Sequence, residues 1–401
     1  MKRLSVCLIL LMVSLSVFAL EIRLNENAIY TDAPRLVKEA PGGRLEIVGD
    51  GDDSFHVLHL WGTPYQMGKM MGTMLQEQIQ QYCDLVIGLM ATQMGGDASM
   101  MDKTYEAARE FIPAHFMEEM KGLADGADID LKTVIRVNMI GEVSEWHCSL
   151  FAAWGKATAS TGALLQLRAL DYAVEAEIQR YPVVVVYHPE QGHPFANFTW
   201  CGIVGAVTGM SSAPLAISEI GDDYHKESDT FAGYPFMFML RDILQFDRSM
   251  DEAIARIRRG PRTSSLMYAV GDGELGEGRG FQTSRKVCNV FNDENLEPLT
   301  PAHQRIEDVV YWGMSWNVPK YDKALHDMLK KHYGKITAEI TIREILPTVG
   351  TGNLQTAIYD LTNNIAWIAN ARANAESGPR NAYERSFVRL DMKQLFTQTA
   401  P

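Results

Sequence analysis

The chain has 401 residues, 46% of them hydrophobic, which is enough for a sizeable buried core. Its formal charge of -13, with no Lys/Arg-rich segment, argues against nucleic acid or an anionic membrane surface as the main partner and is what solubility requires. The histidines are scattered and no HExxH or CxxC spacing occurs, so the sequence implies no metal and no cofactor.

Residues 1–19 carry Lys2 and Arg3, then an apolar run, then the small-residue site Val17-Phe18-Ala19. That order is the pattern of a secretory signal peptide cut after Ala19. The run is short for a span and no later segment is long and apolar enough, so the mature chain is expected to be secreted or periplasmic with no stable membrane anchor. Cys83, Cys148, Cys201 and Cys288 then remain, which is few for a disulfide scaffold; if Cys148 stays free, the other three allow at most one bridge.

From Gly62 to Glu142 the pattern is helical. Thr63-Pro64-Tyr65-Gln66 predicts a capping box with Pro in the first turn. The helix continues through GKMMGTMLQEQIQQYCDLVIGLM, where Gly68 and Gly72 share one face and allow a close neighbour. Further helical runs cover 102–124 and 131–142.

After Cys148 the texture changes to strands: SLFAAWGKAT, ALLQLRALDY, YPVVVVYH, FANFTWCGIVGAV and PLAISEI. Helices return at 235–259 and 303–346, with strand-like SSLMYAVGDG, GFQTSRKVCNVFN and NLQTAIYDLTNNIAWIANAR between and after them. Strands in two blocks with helices around them predict an α+β domain of two sheets packed face to face under helical layers.

The first two strands form a hairpin turning at Ala159-Ser160-Thr161-Gly162, which sets Cys148 opposite a residue near 171 to 173 and makes Asp171 its cross-strand neighbour. Arg168 lies an odd number of residues from Asp171, so a bulge or the strand end is needed for both to reach the thiol. An arginine and an aspartate inside LLQLRALDY are costly to bury without partners.

The segments Cys148 to Gly155 and Gly162 to Tyr172 resemble the nucleophile hairpin of the acyl-coenzyme A:6-aminopenicillanate acyltransferase-like N-terminal nucleophile hydrolases, related to choloylglycine hydrolase and acid ceramidase. Gly62 to Gly68, Gly205 to Gly221 and Gly352 to Asp360 extend the resemblance along most of the mature chain. It implies a four-layer αββα fold and autocleavage between His147 and Cys148. The cut would leave a helical α-segment, 20–147, associated with a catalytic β-chain, 148–401, in one compact domain. It further implies Cys148 as nucleophile, Asp171 orienting the new α-amino group and Arg168 favouring the thiolate, on a small-molecule amide or N-acyl substrate. Ser211 stands where the family often has Asn, and the segment 263–267 holds no Asn; Ser211, Ser264 and Asn353 are the candidates for the oxyanion or substrate region. Hydrolysis is favoured over acyl transfer. An unprocessed Cys/His hydrolase, with His188, His193, His225 or His303 as base, and a non-catalytic binding protein are the other readings.

Overall fold

The structure, a computed structural model, describes residues 21–93, 98–143, 147–222, 226–296, 303–313 and 320–401. The expected signal peptide and His225 lie outside the described residues.

Helix Pro64–Met74 begins as the sequence predicts: the Gln66 backbone N–H donates to Thr63 Oγ1 at 3.3 Å, and Gln66 Oε1 accepts the Thr63 N–H at 2.9 Å. It stops at Leu75, whose φ of -125° is not helical, and the chain resumes as helix Gln76–Gln93. The expected run 102–124 is likewise two helices, Ser99–Ala108 and Ala114–Ala127, divided before Pro113, which cannot donate to a continuing helix.

Gly68 and Gly72 of the first helix face Gly122 and Gly126 of Ala114–Ala127. A Cβ on Gly68 would stand 2.0 Å from the Glu119 carbonyl oxygen, and one on Gly122 would stand 2.0 Å from that of Tyr65. The two backbones touch along this seam, which only hydrogen at Cα permits.

Among the described residues the strands form two sheets. One has seven strands, in spatial order Ile29–Tyr30, Phe387–Asp391, Ile365–Asn370, Gln355–Asp360, Leu165–Asp171, His147–Ala153 and Val309–Gly313. The other has ten: Cys288–Phe291, Glu277–Thr283, Leu266–Asp272, Leu215–Gly221, Thr208–Ser211, Phe195–Trp200, Pro182–Pro189, Phe55–Gly62, Gly43–Val48 and Arg35–Ala40. The sheets pack face to face, with Gln166 Nε2 of one donating to Ser218 Oγ of the other at 2.8 Å. Helices Pro64–Met74, Phe236–Phe246 and Met250–Arg259 cover the ten-stranded sheet, and Lys320–Lys331 and its successors cover the seven-stranded one. The architecture is the α+β, four-layer αββα arrangement.

Inside this body, Arg241 Nη2 donates to Glu119 Oε2 at 2.6 Å, both groups fully buried, with the guanidinium 4.3 Å from the Tyr187 ring centroid. The pair joins helix Ala114–Ala127 to Phe236–Phe246 over the sheet.

Two expectations need correction. The segment 20–147 is not purely helical: it supplies Ile29–Tyr30 to one sheet and three strands to the other. Val309–Gly313, read as part of a helical run, is an edge strand whose Tyr311 and Trp312 are buried in the core. Asn197 is buried and donates to the Gly205 carbonyl at 2.8 Å. The four cysteines among the described residues are unbridged, and no described helix is long and apolar enough to cross a membrane.

Candidate active site

The hairpin forms, in a register different from the one expected. Leu170 lies opposite Cys148, and Asp171 lies opposite His147. The turn is not tight: residues 154–164 make a longer connection, held by Thr158 Oγ1 donating to the Ala163 carbonyl at 2.7 Å and by the Gly162 N–H donating to the Thr158 carbonyl at 2.9 Å. No bulge interrupts the pairing. Cys148, Leu150, Arg168 and Leu170 therefore share the face turned toward the ten-stranded sheet, and Asp171 leaves on the other face at the strand end.

Arg168 is buried between the sheets, with Nε donating to the Glu219 carbonyl at 3.1 Å and Nη2 to Glu219 Oε2 at 3.3 Å. Its Nη1 has no hydrogen-bond partner among the described residues. Burial raises the Glu219 carboxyl to about 7 against the pull of Arg168.

Asp171 is 3% exposed and sits in a cradle of donors. Oδ1 accepts the backbone N–H groups of Gly352 and Asn353, each at 2.9 Å, and Oδ2 accepts the Thr351 hydroxyl at 2.7 Å. Thr351 Oγ1 also meets Ser149 Oγ at 2.8 Å. Gly352 has φ +84°, and a Cβ there would stand 2.2 Å from Thr356 Oγ1, so the cradle needs glycine at this position. Burial lifts the Asp171 carboxyl to about 6, while the bonds from Asn353, Thr351 and Gly352 and the charge of Arg168 pull it down.

The thiol of Cys148 is fully buried, and burial pushes it up to about 12. Arg168 and, more weakly, the Asp171 backbone amide favour the thiolate, and the carboxylates of Glu219 and Asp171 oppose it. Two phenols complete the surroundings. Burial and then the charges of Asp171, Tyr383 and Cys148 raise Tyr321, and burial with the charges of Glu384 and Asp171 raises Tyr383 to about 12.

Of the three oxyanion candidates, the structure brings only Asn353 to this centre. Its side chain clamps Tyr172, accepting the backbone N–H at 2.9 Å and donating to the carbonyl at 3.0 Å, so it positions the strand end that carries Asp171. Ser264 Oγ instead donates to Glu142 Oε2 at 3.4 Å. Ser211 pairs with Phe195, whose ring stacks on Tyr187 beneath Arg241, so its hydroxyl faces the helical layer on the far side of the sheet from Cys148. The described histidines weighed as a base sit elsewhere: His188 against His59 and Trp61, His193 beside Arg248, and His303 on the Tyr311 carbonyl. No described cluster of three His, Cys, Asp or Glu is arranged to hold a metal.

Sequence reasoning missed Thr351, Glu219, Tyr321 and Tyr383. The run Gly350-Thr-Gly-Asn353 before an apolar strand was the available signal for the first.

No protein-family model matches the chain. It is 31% identical to protein dcd1A of Dictyostelium discoideum, covering 93% of each chain, and 30% identical to dcd1B of the same organism, covering 93% of this chain and 81% of that one. It is 25% identical to N-acylethanolamine-hydrolyzing acid amidase of Cavia porcellus over 56% of this chain and 62% of that enzyme. The chain thus has relatives that hydrolyse amide bonds. It belongs to one family with dcd1A and dcd1B, among the N-terminal nucleophile hydrolases that include N-acylethanolamine-hydrolyzing acid amidase.

Proposed function

We propose that the chain is an exported cysteine amidohydrolase that cuts itself between His147 and Cys148 and then cleaves a linear N-acyl amide. The observation that carries this reading is the convergence on Cys148 of a buried guanidinium with an unused donor, Arg168, and a cradled carboxylate at the facing strand end, Asp171.

In the precursor the Cys148 sulfur adds to the His147 carbonyl carbon. The amide nitrogen leaves as the new α-amine, and water opens the resulting thioester to a His147 carboxylate. The mature enzyme then carries its own base: an α-amino group, with an ordinary pKa of about 8, accepts the thiol proton. Asp171, opposite the former peptide bond, holds the ammonium. Thiolate adds to the substrate amide, the ammonium proton goes to the departing amine, and water releases the acid from the thioester. Arg168 Nη1 supplies positive charge on the thiol's own face, lowering the cost of the thiolate in a buried setting.

Intact mass and N-terminal sequencing of the mature protein beside Cys148→Ala test the first half. Two chains in the wild type, one starting at Cys148, with a single chain in the variant, are expected. A single uncut chain in both would reject self-processing and remove the α-amino base from the reading.

A further inference from the structure

An alkylamine cannot leave an amide as an anion, so the substrate nitrogen must gain a proton as its bond to carbon breaks. In the cut chain the source is the α-ammonium of Cys148, which stands at the strand end beside Asp171. The Cys148 sulfur points toward the ten-stranded sheet, but its α-nitrogen is a backbone atom and can be reached from the Asp171 face as well.

Tyr321 is brought to that face by a glycine. Gly313, the last residue of edge strand Val309–Gly313, pairs with Ser149, the neighbour of Cys148. Paired residues project to one face, so a Cβ on Gly313 would point the same way as Ser149, whose hydroxyl meets Thr351 in the Asp171 cradle. That Cβ would stand 2.8 Å from the Tyr321 Cβ. Hydrogen at this Cα lets helix Lys320–Lys331 come down on the strand, and Asp322 Oδ1 pins its first turn by accepting the Gly313 N–H at 2.8 Å. Tyr321 therefore lies on the Asp171 face, beside a strand that is about 5 Å from the strand of Cys148.

The hydroxyls around Asp171 differ in what they are free to do. Thr351 donates to Asp171 Oδ2, Ser149 Oγ meets Thr351 Oγ1 at 2.8 Å, and Tyr383 Oη accepts Asn381 Nδ2 at 3.1 Å. The Tyr321 hydroxyl has no hydrogen-bond partner among the described residues. Tyr321 is half-buried, and its hydroxyl is not enclosed as those of Tyr187 and Tyr359 are, so a molecule at the centre can reach it. Burial, then Asp171, Tyr383 and Cys148, raise its pKa, and the phenol stays protonated at working pH. Packing on Gly313 accounts for the ring and leaves the hydroxyl unassigned.

We propose that Tyr321 is a catalytic residue whose hydroxyl carries the proton from the Cys148 α-ammonium to the departing nitrogen. A phenol serves both halves of the transfer, because it accepts and donates at one oxygen. The ammonium N–H passes to the phenol oxygen as the phenol O–H passes to the nitrogen. The C–N bond breaks with its electron pair kept on nitrogen, the acyl group stays on sulfur as a thioester, and the phenol is regenerated. The α-amine, neutral again, is then ready to activate the water that opens the thioester. This role rests on the amidase reading and adds the path of its proton.

The test compares the mature wild type with Tyr321→Phe on butyl amides and p-nitrophenyl esters of the same acyl groups, hexanoyl to palmitoyl. A nitrophenolate leaves without a proton, and a butylamine cannot. In the folded variant kcat/KM should fall about 100-fold on the amides and change by less than about twofold on the esters. 3-Fluorotyrosine in place of Tyr321 keeps the hydroxyl at a lower pKa. It should restore most of the amide rate and draw down the alkaline limb of kcat/KM on amides alone, a readout that stands even where Tyr321→Phe does not fold. Equal losses on amides and esters, an undiminished amide rate, or an unmoved limb with 3-fluorotyrosine would overturn the proposal while the amidase reading stood. Ester cleavage that Cys148→Ala abolishes, with no amide cleaved by the wild type, would refute the amidase reading and the relay with it.

Discussion

The Thr351 hydroxyl donates to Asp171 Oδ2 at 2.7 Å across 180 residues of sequence. This bond favours the carboxylate against the burial that raises it. Folding lifts the Asp171 pKa from 3.8 to about 6, so its stabilising contribution is present below about pH 4 and is lost as pH rises through 6. In the mechanism proposed above activity has the opposite need, since there the ionised form would hold the α-ammonium. The acid limb of kcat/KM on a chromogenic amide is therefore expected near pH 6. Thr351→Val removes a bond to the carboxylate, raises its pKa further and moves that limb up by about half to one pH unit. A limb that stays in place in a folded Thr351→Val protein would assign it to another group.

Thiol chemistry should follow burial. Cys83 and Cys201 are buried and raised, Cys83 to about 12, whereas Cys288 is half-buried and Arg262 and Arg258 offset part of its rise. In folded Cys148→Ala protein, brief iodoacetamide treatment is expected to label Cys288 first, with Cys83 and Cys201 labelled only after denaturation. Peptide mapping by mass spectrometry reads the order. Prompt labelling of Cys83 would contradict the packing of helix Gln76–Gln93.

The buried pair of Glu119 and Arg241 predicts an asymmetric response. Arg241→Met strands a carboxylate against the core and should cost about 3–5 kcal/mol, while Glu119→Leu with Arg241→Met should recover most of the loss. Urea unfolding of the three proteins measures this. Equal stability of the single variant and the wild type would show that Glu119 is neutralised by other means.

Gly68→Ala should destabilise by about 1–3 kcal/mol, although alanine is the better helix former by about 1 kcal/mol. The added methyl meets the Glu119 carbonyl oxygen at 2.0 Å, a backbone atom that cannot rotate away. Thermal unfolding of the variant beside Gly88→Ala, whose Cβ would enter open space, isolates the steric effect. A Tm for Gly68→Ala at or above that of Gly88→Ala would dismiss the seam as a constraint.

Much of this was legible in the sequence where local chemistry decides. Thr63 and Gln66 announce their cap, the glycine pair its seam, and the apolar runs around Cys148 their strands. Arg35–Ala40 was not legible, because an exposed edge strand rich in charge has no alternation to read. The hairpin register was missed because a longer connection, not a tight turn, sets it, and an error of one residue exchanges the faces of Asp171 and Leu170. The cradle of Asp171 depends on Thr351 and Gly352, which no periodicity links to residue 171. Ser211 was plausible by type and fails by parity, since its partner Phe195 looks toward the helices.

Strand Phe55–Gly62 lies inside the ten-stranded sheet, parallel to Pro182–Pro189, and Ile29–Tyr30 borders Phe387–Asp391 in the other. The two sides of the His147–Cys148 bond are therefore woven through both sheets rather than docked as halves. A break there would leave no seam along which the pieces could part, and size-exclusion chromatography would not register it. Once unfolded, however, a cut molecule must find its other piece by diffusion before an interior strand can form. The nick would turn a reversible fold into one with hysteresis, a protein that assembles once, as a single chain, and keeps its shape only for as long as it is never fully unfolded.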